Sequence, residues 1–113
     1  MKYLIVAALF TLSAVPASAH SKANKMKPAN GSVISTVPSE VSLTFVKEIR
    51  LTKVSMTHAG KHSEELDLGN QKAFSKAYSV PMKDLGGGSY VIEWRGLGVD
   101  GHAMNGSFSF DVE

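Results

Sequence analysis

The chain reads as an all-β domain, a sandwich or small barrel of about seven short strands. Three observations predict this. Apolar residues alternate with polar ones in three well-separated segments, turn-forming residues recur at short intervals between them, and no stretch holds a helical apolar period for ten or more residues. Successive side chains of a strand point to opposite faces, so a trio of like parity marks a buried face.

In chain order, residues 1–19 have the make-up of a secretory signal: Lys2 as the positive end, an apolar run from Tyr3 to Leu12, and Ala17-Ser18-Ala19 as a small-residue cleavage site. The run is too short for a comfortable membrane span. Cleavage after Ala19 makes His20 the first residue of a domain spanning 20–113. A terminal histidine carries a free amine and an imidazole on one residue, and so offers a metal two nitrogens from a single position. The polar, basic residues 21–27 read as a loose N-terminal arm, and Pro28-Ala29-Asn30-Gly31 as a turn.

Val41, Leu43 and Phe45 share one parity and predict the first strand with a clear inward face, with Ser42 turned to solvent. Residues 51–57 and 73–80 are rich in β-branched and aromatic residues but alternate less cleanly, which places them as strands nearer an edge. Between them His58 and His62 flank Ala59-Gly60. Four-residue spacing pairs two histidines only on a helix, so these read as solvated loop residues, with a weak metal site as the alternative. Gly86-Gly87-Gly88 is a turn and not a phosphate cradle, because no helix follows it. Tyr90, Ile92 and Trp94 then predict a strand with Glu93 outward, and Phe108, Phe110 and Val112 another with Ser107 and Asp111 outward. Trp94 is thereby a core residue, and Arg95 faces outward or steers a carboxylate such as Asp100. Met26 and Met104 read as packing residues at the rim.

Composition excludes several functions. Cysteine is absent, which removes disulfides, thiolate zinc sites and thiol catalysis. Lys and Arg number 12 against 10 Asp and Glu, and Lys2 belongs to the leader, so the remaining domain is almost neutral. Its basic residues are scattered without interleaved aromatics, which argues against nucleic acid as a partner. The chain is long enough for one small core and one domain.

The second candidate ligand group is Asp100-Gly101-His102, between the two most clearly patterned strands. Asp and His two positions apart project alike when extended, and the intervening glycine allows a tight bend. Two imidazoles, an amine and a carboxylate suit copper(II) or nickel(II), with copper(II) first in the affinity order; zinc remains open at this point. An ordinary turn, with Asp bonding backbone amides, accounts for the same three residues taken alone.

The chain resembles the CopC family of periplasmic copper-binding proteins. The resemblance rests on His20, Lys27-Pro28-Ala29-Asn30-Gly31-Ser32, the run from Val37 to Phe45, Tyr90-Val91-Ile92-Glu93-Trp94-Arg95, Asp100-Gly101-His102, and Gly106-Ser107-Phe108-Ser109-Phe110. It implies an immunoglobulin-like Greek-key arrangement and a copper(II) site of His20, Asp100 and His102. It also implies a periplasmic monomer that sequesters copper or passes it to an acceptor such as an inner-membrane transporter of the CopD type, without catalysis. Two departures stand out. Where some members carry an acidic residue after the early Phe, this chain has Lys47 and Glu48, and neither is assigned. Where some carry closely spaced methionines for copper(I), only Met56 occurs beside His58 and His62, which points to the copper(II)-only type. Two other readings of the residues are a metal-free immunoglobulin-like interaction module and an oxygen-activating copper enzyme of the polysaccharide monooxygenase kind. The second fits poorly, because a small domain offers little substrate face.

Overall fold

The computed structural model describes residues 23–70 and 72–113; the leader and His20 lie outside them. Seven strands occur in the described residues: β1 (Ala23–Lys27), β2 (Ser32–Ile34), β3 (Glu40–His58), β4 (Glu64–Glu65), β5 (Ser75–Pro81), β6 (Gly88–Gly98) and β7 (Ala103–Val112). Among the described residues there is no helix long and apolar enough to cross a membrane. The fold is the expected all-β, immunoglobulin-like one.

β3 organises the rest. Its first part pairs antiparallel with β1 on one side, Phe45 opposite Ala23, and with β5 on the other, Val41 opposite Val80. Its second part pairs with β6 from Ile49–Gly98 to His58–Tyr90, and with the two-residue β4. β6 continues to β7, and β7 to β2, which runs parallel to it. The hydrogen-bonded strands thus curl into two halves that share β3 and close on each other. Phe45 from the first half meets Trp94 from the second edge-on, ring centroids 5.0 Å apart, a favoured aromatic geometry.

The three trios chosen for alternation are all buried, from Val41 at 0% to Val112 at 5% exposure. Glu93, Ser107 and Asp111 are exposed as expected, while Ser42 is half-buried because β1 and β5 flank it on both sides.

Two expectations are corrected. Residues 23–27 are no loose arm but strand β1, with Met26 half-buried against the core. Their backbone pairs with residues 42–45, a long-range partnership that local composition does not carry. Residues 51–57 do not form a separate peripheral strand. They continue β3, and Leu51, Val54 and Met56 are all buried. A register shift between Leu51 and Lys53 inserts an extra residue, so the buried positions change parity. That bulge is why the alternation looked poor. Residues 73–80 do contain an edge strand, β5, which pairs only with β3.

The passage of β3 between halves is held by Tyr78. Its hydroxyl donates to the Ile49 carbonyl at 2.6 Å and accepts from the Leu51 N–H at 3.4 Å. Gly106 plays a different part. It lies opposite Trp94 on β7, and a methyl group there would come 2.7–2.8 Å from the indole. A rigid buried ring cannot swing aside cheaply. Gly106→Ala is therefore expected to lower unfolding stability by about 1–3 kcal/mol, read as a lower urea midpoint with an unchanged slope.

Candidate metal centre

β6 and β7 form a hairpin whose last paired residues are Leu97 and Ala103. The connecting turn is closed by two backbone bonds, Gly98 N–H to the His102 carbonyl and Gly101 N–H to the Gly98 carbonyl, both 2.9 Å. Gly101 has φ +86°, a left-handed conformation that glycine adopts without a Cβ penalty. This bend turns Asp100 back on His102. Asp100 Oδ1 accepts the His102 N–H at 3.1 Å, and Oδ2 accepts the imidazole Nδ1–H at 2.7 Å. The ordinary-turn reading and the paired-side-chain reading are thus satisfied by the same carboxylate. Gly98 makes room for it, since a methyl group there would lie 2.9 Å from Asp100 Oδ1.

The pair is open to solvent, His102 at 83% and Asp100 at 63% side-chain exposure. The imidazole hydrogen bond, with the backbone one, lowers the Asp100 pKa, and the same side-chain bond and the carboxylate charge raise that of His102. A neutral His102 with its proton on Nδ1 presents Nε2 as a lone-pair donor, the arrangement by which a carboxylate fixes tautomer and ring direction for a metal-binding imidazole.

Beside the turn lies a cleft of about 550 Å³, lined by Asp100, His102 and Met104 together with Lys47 and Glu48 of β3. The two positions left unassigned from sequence thus belong to this neighbourhood, brought there by the crossing of β3. Met104 is half-buried and packs on the core, as expected. Arg95 is exposed on the outer face of β6. Among the described residues no group of three His, Cys, Asp or Glu side chains gathers as a metal cluster. The structure brings Asp100 and His102 together, and His20 lies outside the described residues.

His58 is not a free loop residue. It ends β3, is half-buried, holds the Gly87 carbonyl through Nε2 at 2.8 Å, and lays its ring on Tyr90 with centroids 4.5 Å apart. Its opposite partner, Tyr90, is seven residues along β6 from Leu97, or about 24 Å of strand. His58 therefore stands at the far end of the molecule from Asp100 and His102. His62 is exposed in the following connection, as expected.

An immunoglobulin-like β domain with an exposed, hydrogen-bonded Asp–His pair at one end of its longest hairpin is the class that fold and site define. Residues 23–113 match the CopC domain family, and the chain belongs to it. In sequence it is similar to Protein YobA of Escherichia coli strain K12, 27% identical over 112 residues that cover 94% of this chain and 90% of that one. Protein YobA of Shigella flexneri gives the same figures. Among solved structures, CopC from Methylosinus trichosporium OB3b superposes with a TM-score of 0.69 at 22% identity, covering 83% of this chain and 94% of that one. PcoC, a methionine-rich copper resistance protein from Escherichia coli, gives 0.59 at 23% identity, covering 83% and 99%.

The direction of the two pKa shifts sets a test. Folding raises the His102 pKa, so its contribution to stability is present below the unfolded value near 6.5 and is lost as pH rises through the folded one. The Asp100 contribution is present above about 3.8 and is lost as pH falls through its lowered value. Asp100→Asn is expected to bring the His102 titration, followed by imidazole proton chemical shifts in the metal-free protein, back down toward 6.5.

Proposed function

We propose that this protein is a periplasmic copper(II)-binding protein, in which His20, His102 and Asp100 hold the ion. His20 supplies its amine and imidazole once the leader is cleaved, and His102 supplies Nε2. Asp100 supplies negative charge and fixes the ring, with solvent-facing lone pairs left for the ion itself. The ion is cargo: the protein sequesters it or hands it to an acceptor, for which an inner-membrane transporter of the CopD type is the expected partner. It acts by coordination and not turnover, as a monomer.

One observation carries this reading. β1 runs antiparallel to β3 with Ala23 opposite Phe45, so the described start of β1 lies on the part of β3 that leads to Lys47 and Glu48, which line the same cleft as Asp100 and His102. On this proposal, the pairing of β1 with β3 is what would bring the processed terminus to the distant hairpin. The donor set suits copper(II) by hardness and geometry. PcoC, similar in structure to this chain, is a copper resistance protein, which agrees with it. Among Met26, Met56, Met82 and Met104, Met56 is buried and the other three pack on the core, which leaves no exposed thioether cluster for copper(I) among the described residues.

The deciding experiment is electron paramagnetic resonance on the exported, correctly processed protein with one equivalent of copper(II). Nitrogen couplings from an amine and two imidazoles are expected. His102→Ala removes one of them, and an alanine placed ahead of His20 abolishes the amine–imidazole chelate. Asp100→Asn is expected to weaken copper(II) binding by roughly 10–100-fold, the usual cost of losing a carboxylate that steers a ligating histidine. Copper(II) must also raise the melting temperature, because a ligand selective for the folded state stabilises it. An unchanged melting curve and a spectrum of hydrated copper(II) would sink the assignment.

Acidification opposes binding. The terminal amine must lose a proton with a pKa near 8, and so must His102, whose pKa its bond to Asp100 raises. Affinity measured by competition with a chelator is therefore expected to fall as pH drops below about 8, and less steeply through the imidazole range in Asp100→Asn.

A further inference from the structure

The outer face of the second half carries a group of cations that the copper site does not use. On β3, Arg50 lies opposite Leu97 and Lys53 opposite Arg95; on β7, Ala103 and Asn105 complete the same two rows. Lys53 and Arg95 are exposed and Arg50 is half-buried. Directly opposed side chains in an antiparallel pair stand about 5 Å apart, and like charges there repel. Neither Lys53 nor Arg95 joins an ion pair: those of the described residues are Lys83–Glu64 and His102–Asp100. Glu93 of β6 and Glu65 of β4, both opposite Ser55 in the next row, make no ion pair with either among the described residues. The Leu97–Ala103 row directly adjoins the turn that bears Asp100 and His102, so the cationic rows border the proposed copper site.

We infer that Arg50, Lys53 and Arg95 form the docking surface for an acidic protein surface that exchanges copper with the Asp100–His102 site. The inference rests on the copper-binding reading for what is exchanged, and on the cross-strand rows for where the partner lies. A sheet face with two directly opposed cations and no ion pair of their own gains from a partner of opposite sign, and complementary charge speeds encounter and fixes orientation. A membrane is the poorer occupant, because recognition of anionic lipid uses clusters of about four to eight cations. This face has three, with Glu93 and Glu65 beside them.

The test uses the processed protein loaded with one equivalent of copper(II) and a pair of probe peptides that begin Gly-Gly-His and end in a run of either glutamate or glutamine. Stopped-flow absorbance follows copper transfer to each. The glutamate peptide is expected to accept copper about 10-fold faster at low ionic strength, with the advantage lost in high salt and in the Lys53→Gln/Arg95→Gln variant. Equal rates for the two peptides at low salt overturn the proposal. So does a loss of discrimination only in a control with exposed lysines elsewhere changed, Lys61→Gln/Lys72→Gln. Vesicles of equal parts phosphatidylcholine and phosphatidylserine form a separate arm; cosedimentation through Lys53 and Arg95 without peptide discrimination assigns the face to a membrane and overturns the proposal as well. Fluorescence anisotropy of the labelled peptides with copper-free protein separates the two readings. Preferential binding of the glutamate peptide that needs Lys53 and Arg95 sustains the docking surface even where copper fails to bind.

Discussion

The structure depends on one strand serving two halves of a curled sheet. Nineteen residues of β3 pair with β1 and β5 at one end and with β6 and β4 at the other, so the core exists only if the strand changes partners at a fixed point. The Tyr78 hydroxyl marks that point by holding the Ile49 carbonyl, and Ile49 itself is fully buried beneath it. A buried carbonyl without a donor costs on the order of 1–3 kcal/mol, which makes the tyrosine a structural clamp and not a surface ornament. Everything at the site follows from the crossing. It sets Lys47 and Glu48 beside the β6–β7 turn, and it leaves the first part of β3 as the template on which β1 pairs.

Legibility in the sequence followed the distance over which each feature is specified. The inward faces of β6, β7 and the first part of β3 obey a period of two over five residues, and Trp94, Phe108 and Val41 fell where the pattern put them. The second part of β3 has the same kind of core residues, but the bulge after Leu51 shifts their parity, so a window that assumes one register sees noise. β1 presents Lys25-Met26-Lys27, a single apolar residue between cations. Its strand character comes from hydrogen bonds to residues 42–45 and has no local signature. β4 is only two residues long and was invisible for the same reason, although Leu66 just after it is buried and donates its N–H to the Val54 carbonyl at 2.7 Å.

The Asp100-Gly101-His102 turn was legible because its chemistry is compressed into three residues. A glycine that takes positive φ, an aspartate that accepts backbone N–H groups and a histidine two positions on are all local requirements. What the sequence could not say is how the carboxylate divides its lone pairs, and here the geometry is informative: both oxygens already bond His102, one through its backbone and one through its ring. The neighbourhood of Lys47 and Glu48 was beyond reach, since fifty residues separate them from the turn and only the crossing of β3 unites them. His58 was misjudged for a related reason. Its partners, Gly87 and Tyr90, come from the neighbouring strand and the turn before it.

Exposure decides what kind of site this is. A buried pair of donors gains strength from low dielectric, but His102 and Asp100 face water, whose high dielectric weakens the attraction between charges. Charge alone therefore holds an ion weakly there, and the neighbouring Lys47 opposes it weakly for the same reason. Tight binding at such a place has to come from chelation, with several nitrogen donors placed in advance so that little ordering is left to do when the ion arrives. The hydrogen bond from His102 to Asp100 performs that ordering for one imidazole. An open, preordered site of this kind also lets a second set of ligands approach before the first has released the ion. On the reading proposed for this protein, the same exposure that denies the site electrostatic strength leaves its bound copper accessible to an acceptor.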